Sequence, residues 1–228
     1  METGRKGGRA GKAAGAGRAG APDEAGPADK AGATRASPAR PHTGRRRNEA
    51  ARRAVLRATA QILRERGPEG LTIDAIAREA RVGRQTIYRW WPSRAAVVHE
   101  LASENARLAV PSEPDTGSLE GDVRAFLRAS YEAAARPDIS PILRTLASEA
   151  LRDDDFAGAL RDFTAQRRAV LRALLQRHGV PPVRAELLAE LAFGLIWYRT
   201  ITGHAKLDRR TADAAAEVLA TAASRTRH

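Results

Sequence analysis

Apolar side chains recur every three to four residues through most of the chain after residue 48, which is the spacing of one helical face. The first such stripe ends before Gly67 and Pro68, a pair that terminates helices. Its members are Val55, Ala58, Thr59, Ile62 and Leu63. No segment alternates apolar and polar residues as a half-buried strand does. The pattern therefore predicts an all-α protein.

Breaks in this pattern divide the chain into three parts. Residues 1–44 are mostly Gly, Ala, Arg, Lys and Pro without periodicity, so we expect a disordered basic tail. This tail is either an inert extension or a basic arm. Residues 45–92 form a small three-helix region. Residues 93–228 form a larger helical region, which begins with a helix from Ser93 to about Val110 and continues, after a turn-rich linker, with five more helices.

Residues 71–94 predict two short helices joined by a tight turn. Thr72 is suited to cap the first helix. The apolar face of that helix consists of Ile73, Ile76, Ala77 and Ala80. The stripe is interrupted at residues 81–83, and the second helix begins near Arg84. A short helix after such a turn is the arrangement that enters a DNA major groove.

The second helix of this motif carries two kinds of side chain. Ile87 and Trp91 recur on its inner side. The other positions offer hydrogen-bond donors that an apolar packing face does not need, namely Arg84, Gln85, Thr86, Tyr88 and Trp90. For Tyr88 and Trp90, the alternative to a DNA contact is that they pack in the core. Arginine pairs with guanine and glutamine with adenine, so residues 84–86 are candidates for contacts with base edges.

The net charge of +12 is concentrated at and before this motif. Residues 1–44 carry eight basic against four acidic residues, and residues 45–110 carry fourteen against seven. The remaining 118 residues carry seventeen against sixteen. Such a gradient indicates a nucleic-acid binder. Arg45, Arg46 and Arg47, just before the expected start of the first helix, are placed to enter a flanking minor groove.

Several classes of protein lack support in the sequence. The chain has no cysteine, so disulfides and thiolate metal sites are excluded. No catalytic serine, histidine and aspartate order, phosphate loop or metal-binding histidine spacing is present. The acidic run at residues 153–155 fits a helix N-terminus better than a metal site. We therefore predict no enzyme activity, cofactor or metal. With no apolar run of about 18 residues and no signal core, we expect a cytoplasmic protein without a membrane span.

The run TIYRWWPSRAAVVHELA at residues 86–102 resembles the signature of the TetR family of bacterial transcriptional regulators. The resemblance implies a helix-turn-helix DNA-binding domain followed by a ligand-binding and dimerisation domain. It also implies that phosphates are bound by Thr72, Thr86, Tyr88, Trp90 and Arg94. Two positions differ from the usual family pattern. Arg81 stands where glycine ends the first helix, at an expected cost of about 1 kcal/mol, and Trp90 replaces histidine.

The C-terminal part of the chain is similar to one subclass of TetR ligand domain. Gly194, Tyr198, Arg199 and Gly203 match its pattern of glycines, tyrosine and arginine. The resemblance implies a pocket for a small-molecule effector. The residues we place near it are Phe126, Tyr131, Arg144, Phe163, Trp197 and Arg199. Aromatics at helical spacing are also typical of a core, whereas a buried arginine needs an acidic partner such as Glu149, Glu190 or a ligand carboxylate.

The last two helices are expected to form a homodimer. The face proposed for contact consists of small residues, namely Ala212, Ala215, Ala216, Leu219, Ala222 and Ala223. The alternative is that this face packs only within its own subunit. A two-fold dimer would match two operator half-sites about 34–36 Å apart, or multiples of that distance.

These observations together predict a homodimeric transcriptional regulator. We expect a repressor that a small molecule releases from a palindromic operator in double-stranded DNA. The alternative is an architectural protein that binds DNA without sequence preference, which would explain the basic tail but not the nearly neutral helical region. The abundance of alanine and arginine is typical of GC-rich bacterial genomes such as those of actinobacteria.

Overall fold

The helices expected from the apolar spacing are observed in a computed structural model, which describes residues 43–110 and 113–224 and the side chains from residue 48 onward. No strand occurs among the described residues, which confirms the all-α fold. The helices are α1 (Thr43–Arg66), α2 (Ile73–Ala80), α3 (Arg84–Tyr88), α4 (Arg94–Ala109), α5 (Leu119–Ala135), α6 (Ser140–Glu149), α7 (Asp154–Arg177), α8 (Pro182–Thr202) and α9 (Arg209–Ser224). None of them is long and apolar enough to cross a bilayer.

The start of α1 corrects one prediction. Helix α1 begins at Thr43, so Arg45–Arg47 lie within its first two turns rather than before it. Their side chains lie outside the described part of the structure. Disorder was predicted for residues 1–44. Residues 1–42 lie outside the described range, and residues 43 and 44 belong to α1.

Capping fixes the boundaries of the short helices. The Thr72 hydroxyl accepts a hydrogen bond of 3.0 Å from Ala75 N and so begins α2. The Ser93 hydroxyl does the same for Ala96 N at the start of α4. Arg81 ends α2 in the left-handed conformation, with φ 55° and ψ 44°. That is the conformation for which the family pattern supplies glycine, so the predicted strain is present.

Helices α1 to α3 enclose a small core. Ile62, Ile76, Ile87 and Trp91 are each almost completely buried within it. The indole N–H of Trp91 donates to Glu100 Oε2 at 2.7 Å, which ties the end of α3 to α4. Because Ile87 and Trp91 fix the inner side of α3, its other side chains are turned toward solvent.

Helix α4 connects the small region with the larger one. It contacts α1 on one side and α5, α6 and α7 on the other. Arg52 of α1 binds Glu104 of α4 at 2.6 Å and also pairs with Glu100. Residues 92 and 93 lie in the turn before α4. Because α1 to α9 form one compact unit, a domain boundary at this turn stays a prediction.

In the larger region, helix α9 packs along α5. Ala212, Ala216, Leu219 and Ala223 are buried there inside the subunit. The predicted dimerisation face is therefore wrong in its main residues, because α5 already covers them. The alternative of packing within one subunit is the one observed for this face.

A buried carboxylate fastens the linker to the larger region. Asp122 of α5 is 1% exposed and accepts hydrogen bonds from Thr116 N, Thr116 Oγ1, Arg177 Nη2 and His178 Nε2, at 2.6–2.8 Å. Burial alone raises the pKa of Asp122, but the hydrogen bonds from Thr116, His178 and Arg177 outweigh it and hold the pKa well below its usual range.

Candidate nucleic-acid interface and cavity

Helix α3 presents its polar side chains to solvent. Arg84 and Gln85 are exposed and Thr86 is half-buried. Tyr88 and Trp90 are 54% and 39% exposed, so neither is a core residue. The structure thus brings five of the predicted DNA-contacting residues onto one accessible segment, and Thr72 at the start of α2 is exposed as well.

Arg84 has an acidic neighbour on α2. Its guanidinium pairs with the carboxylate of Asp74, and both side chains are mostly solvent-exposed. Exposed pairs of this kind contribute at most about 1 kcal/mol. The pair therefore orients the Arg84 side chain, and Arg84 can still leave Asp74 to donate to another acceptor.

Arg89 is a member of this surface that the sequence analysis missed. It is exposed between Tyr88 and Trp90, and its Nη2 donates to Asn48 Oδ1 of α1 at 2.6 Å. The signal was available, because Arg89 continues the run of donors that begins at Arg84.

Arg94 does not occupy the position that the phosphate-binding role implied by the family resemblance would require. Its Nη2 lies 3.1 Å from Glu149 and 3.3 Å from Asp153, and its Nη1 donates to Leu71 O at 3.3 Å. The guanidinium also lies over the Phe156 ring, 5.0 Å from its centroid. Since two carboxylates neutralise it, Arg94 joins α4 to α6 and α7 instead of extending the basic surface.

A small cavity, partly open to solvent, lies in the larger region. Its walls come from helices α4 to α8 and are mostly apolar. Phe163 and Trp197 meet edge to face, with ring centroids 6.3 Å apart, on one wall. Polar side chains in the walls belong to Asn105, Ser130 and Arg167. A concave apolar site with few polar groups is the usual form of a small-molecule site.

The six residues predicted near an effector do not all meet at this cavity. Phe163 and Trp197 line it, and Phe126 packs beside it against Phe193. Tyr131 is buried in the core, where burial raises the pKa of its hydroxyl to about 12. Arg144 and Arg199 instead line a separate, more polar groove beside the end of α8.

The acidic partners expected for Arg144 and Arg199 are also absent from their described contacts. Arg144 Nε donates to Thr200 O at 3.2 Å, and Arg199 Nη1 donates to Lys206 O and Thr211 Oγ1. Backbone carbonyls and one hydroxyl accept these hydrogen bonds where carboxylates were expected, and Glu149 is instead engaged by Arg94.

Arg167 is the cavity residue that the sequence analysis missed. It follows Phe163 by four residues and precedes Leu171 by four, so it lies on the apolar stripe of α7. A charged residue at such a position is a visible interruption of the stripe, and this was the signal in the sequence.

Comparison with known proteins agrees with this architecture. Residues 55–101 match the family model described as bacterial regulatory proteins, tetR family, and residues 113–219 match the one described as tetracyclin repressor-like, C-terminal domain. The HTH-type transcriptional regulator YdeS of Bacillus subtilis is 32% identical over 172 residues, which cover 70% of this chain and 83% of that protein. The regulator Mb1581 of Mycobacterium bovis is 43% identical over 70 residues, 30% of this chain and 34% of that protein.

Solved structures show the same fold. The TetR family transcription regulator SCO0332 is 29% identical with a TM-score of 0.62, covering 75% of this chain and 97% of that one. The multidrug binding protein EbrR, solved with imidazole, is 18% identical with a TM-score of 0.57, covering 74% of this chain and 94% of that one. With the helix-turn-helix in place and both family models matched, the chain belongs to the TetR family of transcriptional regulators, which bind DNA and are not enzymes.

Proposed function

We propose that the protein is a homodimeric repressor that a small molecule releases from a palindromic operator. The observation that carries this proposal is the position of α4. Its first residues follow the turn after α3, and its later residues Ala102, Asn105 and Ala106 form a wall of the cavity. A ligand that widens the cavity therefore pushes on the helix that positions the DNA-contacting segment.

On DNA, the exposed segment would divide its contacts between bases and phosphates. Arg84, Gln85 and Thr86 contact base edges in the major groove, where arginine and glutamine discriminate best. Thr72, Tyr88, Trp90 and Arg89 donate hydrogen bonds to phosphates and fix the orientation of α3. Arg45–Arg47, at the start of α1, contact the flanking minor groove or its phosphates.

The homodimer would form through α8 and the outer side of α9. An exposed apolar stripe runs along α8, made of Val183, Leu187, Leu191, Tyr198 and Ile201. Their spacing places all five on one face of the helix. Gly194 lies in the middle of this face, and a side chain added there would meet nothing within 4 Å in its own subunit. The glycine thus leaves room for a partner helix to approach closely.

Release of the protein from DNA on ligand binding follows from thermodynamic linkage. If the ligand binds best when α4 has moved, it stabilises the state whose two α3 helices no longer match the half-site spacing, and operator affinity falls. Its target is chromosomal DNA, so we expect the protein to act in the cytoplasm.

The decisive experiment is selection of bound sequences from a random DNA pool, followed by footprinting. A discrete palindrome supports the regulator, whereas coating in proportion to DNA length supports an architectural protein instead. Arg84→Ala should relax the preference at one position of each half-site by about 1–3 kcal/mol. Arg161→Ala, on the exposed side of α7, is the matched control and should leave the selected sequence unchanged.

A further inference from the structure

Arg167 is a partly buried cation, and none of its contacts in the described part of the chain is with a carboxylate. Its Nη2 atom is shielded from solvent and makes no hydrogen bond within the described structure. The guanidinium lies over the Phe126 ring, 5.5 Å from the centroid. Burial lowers the pKa of Arg167, and no acidic group opposes the effect. Leaving a shielded guanidinium N–H without an acceptor is costly, so an anionic group that binds at Nη2 would relieve the cost.

Two carboxylates that line a groove with Arg167 are already engaged elsewhere. A groove between α4 and α7 shares Val110 and Arg167 with the cavity, and Glu100 and Glu104 also line it. Both carboxylates pair with Arg52 of α1. Arg167 therefore lies between this groove and the cavity.

A second unsatisfied donor lines the same cavity. The hydroxyl of Ser130 on α5 is buried and has no hydrogen-bond partner within the described structure. The remaining wall is mainly alanine, aliphatic and aromatic side chains. Two free donors in an apolar enclosure match an anionic head group attached to an apolar body. Arginine binds a carboxylate especially well, because its planar donors match the two oxygens.

We infer that the cavity binds a carboxylic acid with an apolar body, whose carboxylate is held by Arg167 and Ser130 while its body lies against Phe163 and Trp197. This inference rests on the proposed function, since it names the ligand class of the same effector site. An apolar amine, a sugar or a nucleotide would leave Arg167 without a counter-charge or place polar groups against apolar walls.

The test measures binding to the full chain without DNA by calorimetry. The probes are 4-phenylbutyrate and octanoate, each compared with its neutral amide. The acids should bind roughly 10- to 100-fold more tightly than the amides, the difference expected for a hydrogen-bonded charge. Arg167→Gln should reduce acid affinity to that of the amide, and Ser130→Ala should reduce it several-fold. Arg161→Gln, exposed on the same helix, is the matched control and should bind the acids unchanged.

Arg167→Met gives a second readout that needs no ligand. Replacing a partly buried cation that lacks a counter-charge by an apolar chain of similar length should raise Tm in the absence of ligand while abolishing the preference for acids. A lower Tm together with retained acid binding would mean that Arg167 is only structural, and would overturn the inference. Equal affinity for acids and amides, or no binding of either acid to the unaltered protein, would also overturn it.

DNA binding measured on the same variants separates this inference from the proposed function. Acid binding that depends on Arg167 but does not change DNA affinity supports the ligand class and refutes regulation through the cavity. Specific DNA binding by a protein that binds no carboxylate refutes the ligand class and leaves the DNA-binding role intact.

Discussion

Substituting Arg94 by alanine tests whether this residue joins helices or binds DNA. The guanidinium contacts Glu149 at 3.1 Å, Asp153 at 3.3 Å and Leu71 O at 3.3 Å. Its side chain is 33% exposed, and that of Glu149 is more buried. Arg94→Ala removes the counter-charge of Glu149, and we therefore expect lower stability without a direct loss of phosphate contacts.

The magnitude follows from the partial burial of this group. Removing one partner from a fully buried pair costs about 3–5 kcal/mol, and an exposed pair is worth at most about 1 kcal/mol. Arg94 lies between these limits after allowance for solvent screening, so we expect a loss of about 1–3 kcal/mol. For a chain of this length, that loss corresponds to a fall of roughly 2–12 °C in Tm.

The assay combines thermal unfolding with binding to a duplex of arbitrary sequence at several salt concentrations. Each lost phosphate contact reduces the slope of log affinity against log salt by about 0.9. Arg94→Ala should lower Tm and leave this slope unchanged, whereas Arg89→Ala, on the exposed surface, should reduce the slope by about 0.9 per subunit. An unchanged Tm with a reduced slope for Arg94→Ala would refute our assignment and restore the phosphate-binding role.

Three further substitutions test other parts of the structure. Arg81→Gly should stabilise the protein by about 1 kcal/mol in urea unfolding, because φ at this position is positive; destabilisation would show that the turn needs the side chain. Asp122→Asn should cost about 2–3 kcal/mol at pH 7, since it weakens hydrogen bonds to a buried carboxylate. Because the pKa of Asp122 is lowered in the folded state, its stabilisation is complete above the ordinary carboxyl pKa of about 4 and is lost as pH falls below it. The difference between variant and unaltered protein should therefore shrink in acid unfolding curves, and a constant difference would contradict the assignment. Leu191→Glu should convert a dimer to monomers in sedimentation experiments, while Leu151→Glu, exposed outside the α8 stripe, should not; equal behaviour of the two would argue against an α8 interface.

Local signals in the sequence were enough to predict the helix-turn-helix and the starts of α2 and α4. Thr72 and Ser93 cap helices as expected, because a cap depends on residues within one turn of each other. The inner and outer sides of α3 were also predictable, since Ile87 and Trp91 recur at helical spacing. The strained conformation of Arg81 was expected from the family resemblance, in which glycine usually occupies this position.

Features that depend on the arrangement of distant helices could not be predicted in this way. The small-residue face of α9 is equally suited to a neighbour in the same subunit or in another one, and only the position of α5 decides between them. Arg94 meets Glu149 and Asp153 across more than 50 residues of sequence. The division of the predicted effector residues between cavity and groove likewise depends on how α5 to α8 pack.

The pairing of Arg84 with Asp74 bears on how tolerant the operator can be. An arginine that loses its base partner at an altered site is usually left with unmet donors, and that penalty generates much of the discrimination. Here Asp74 remains close enough to accept those donors again. If Arg84 contacts a base as proposed, variation at that base pair should reduce affinity less than in a regulator whose arginine lacks such an alternative. Operators that differ at this position would then bind with graded affinity.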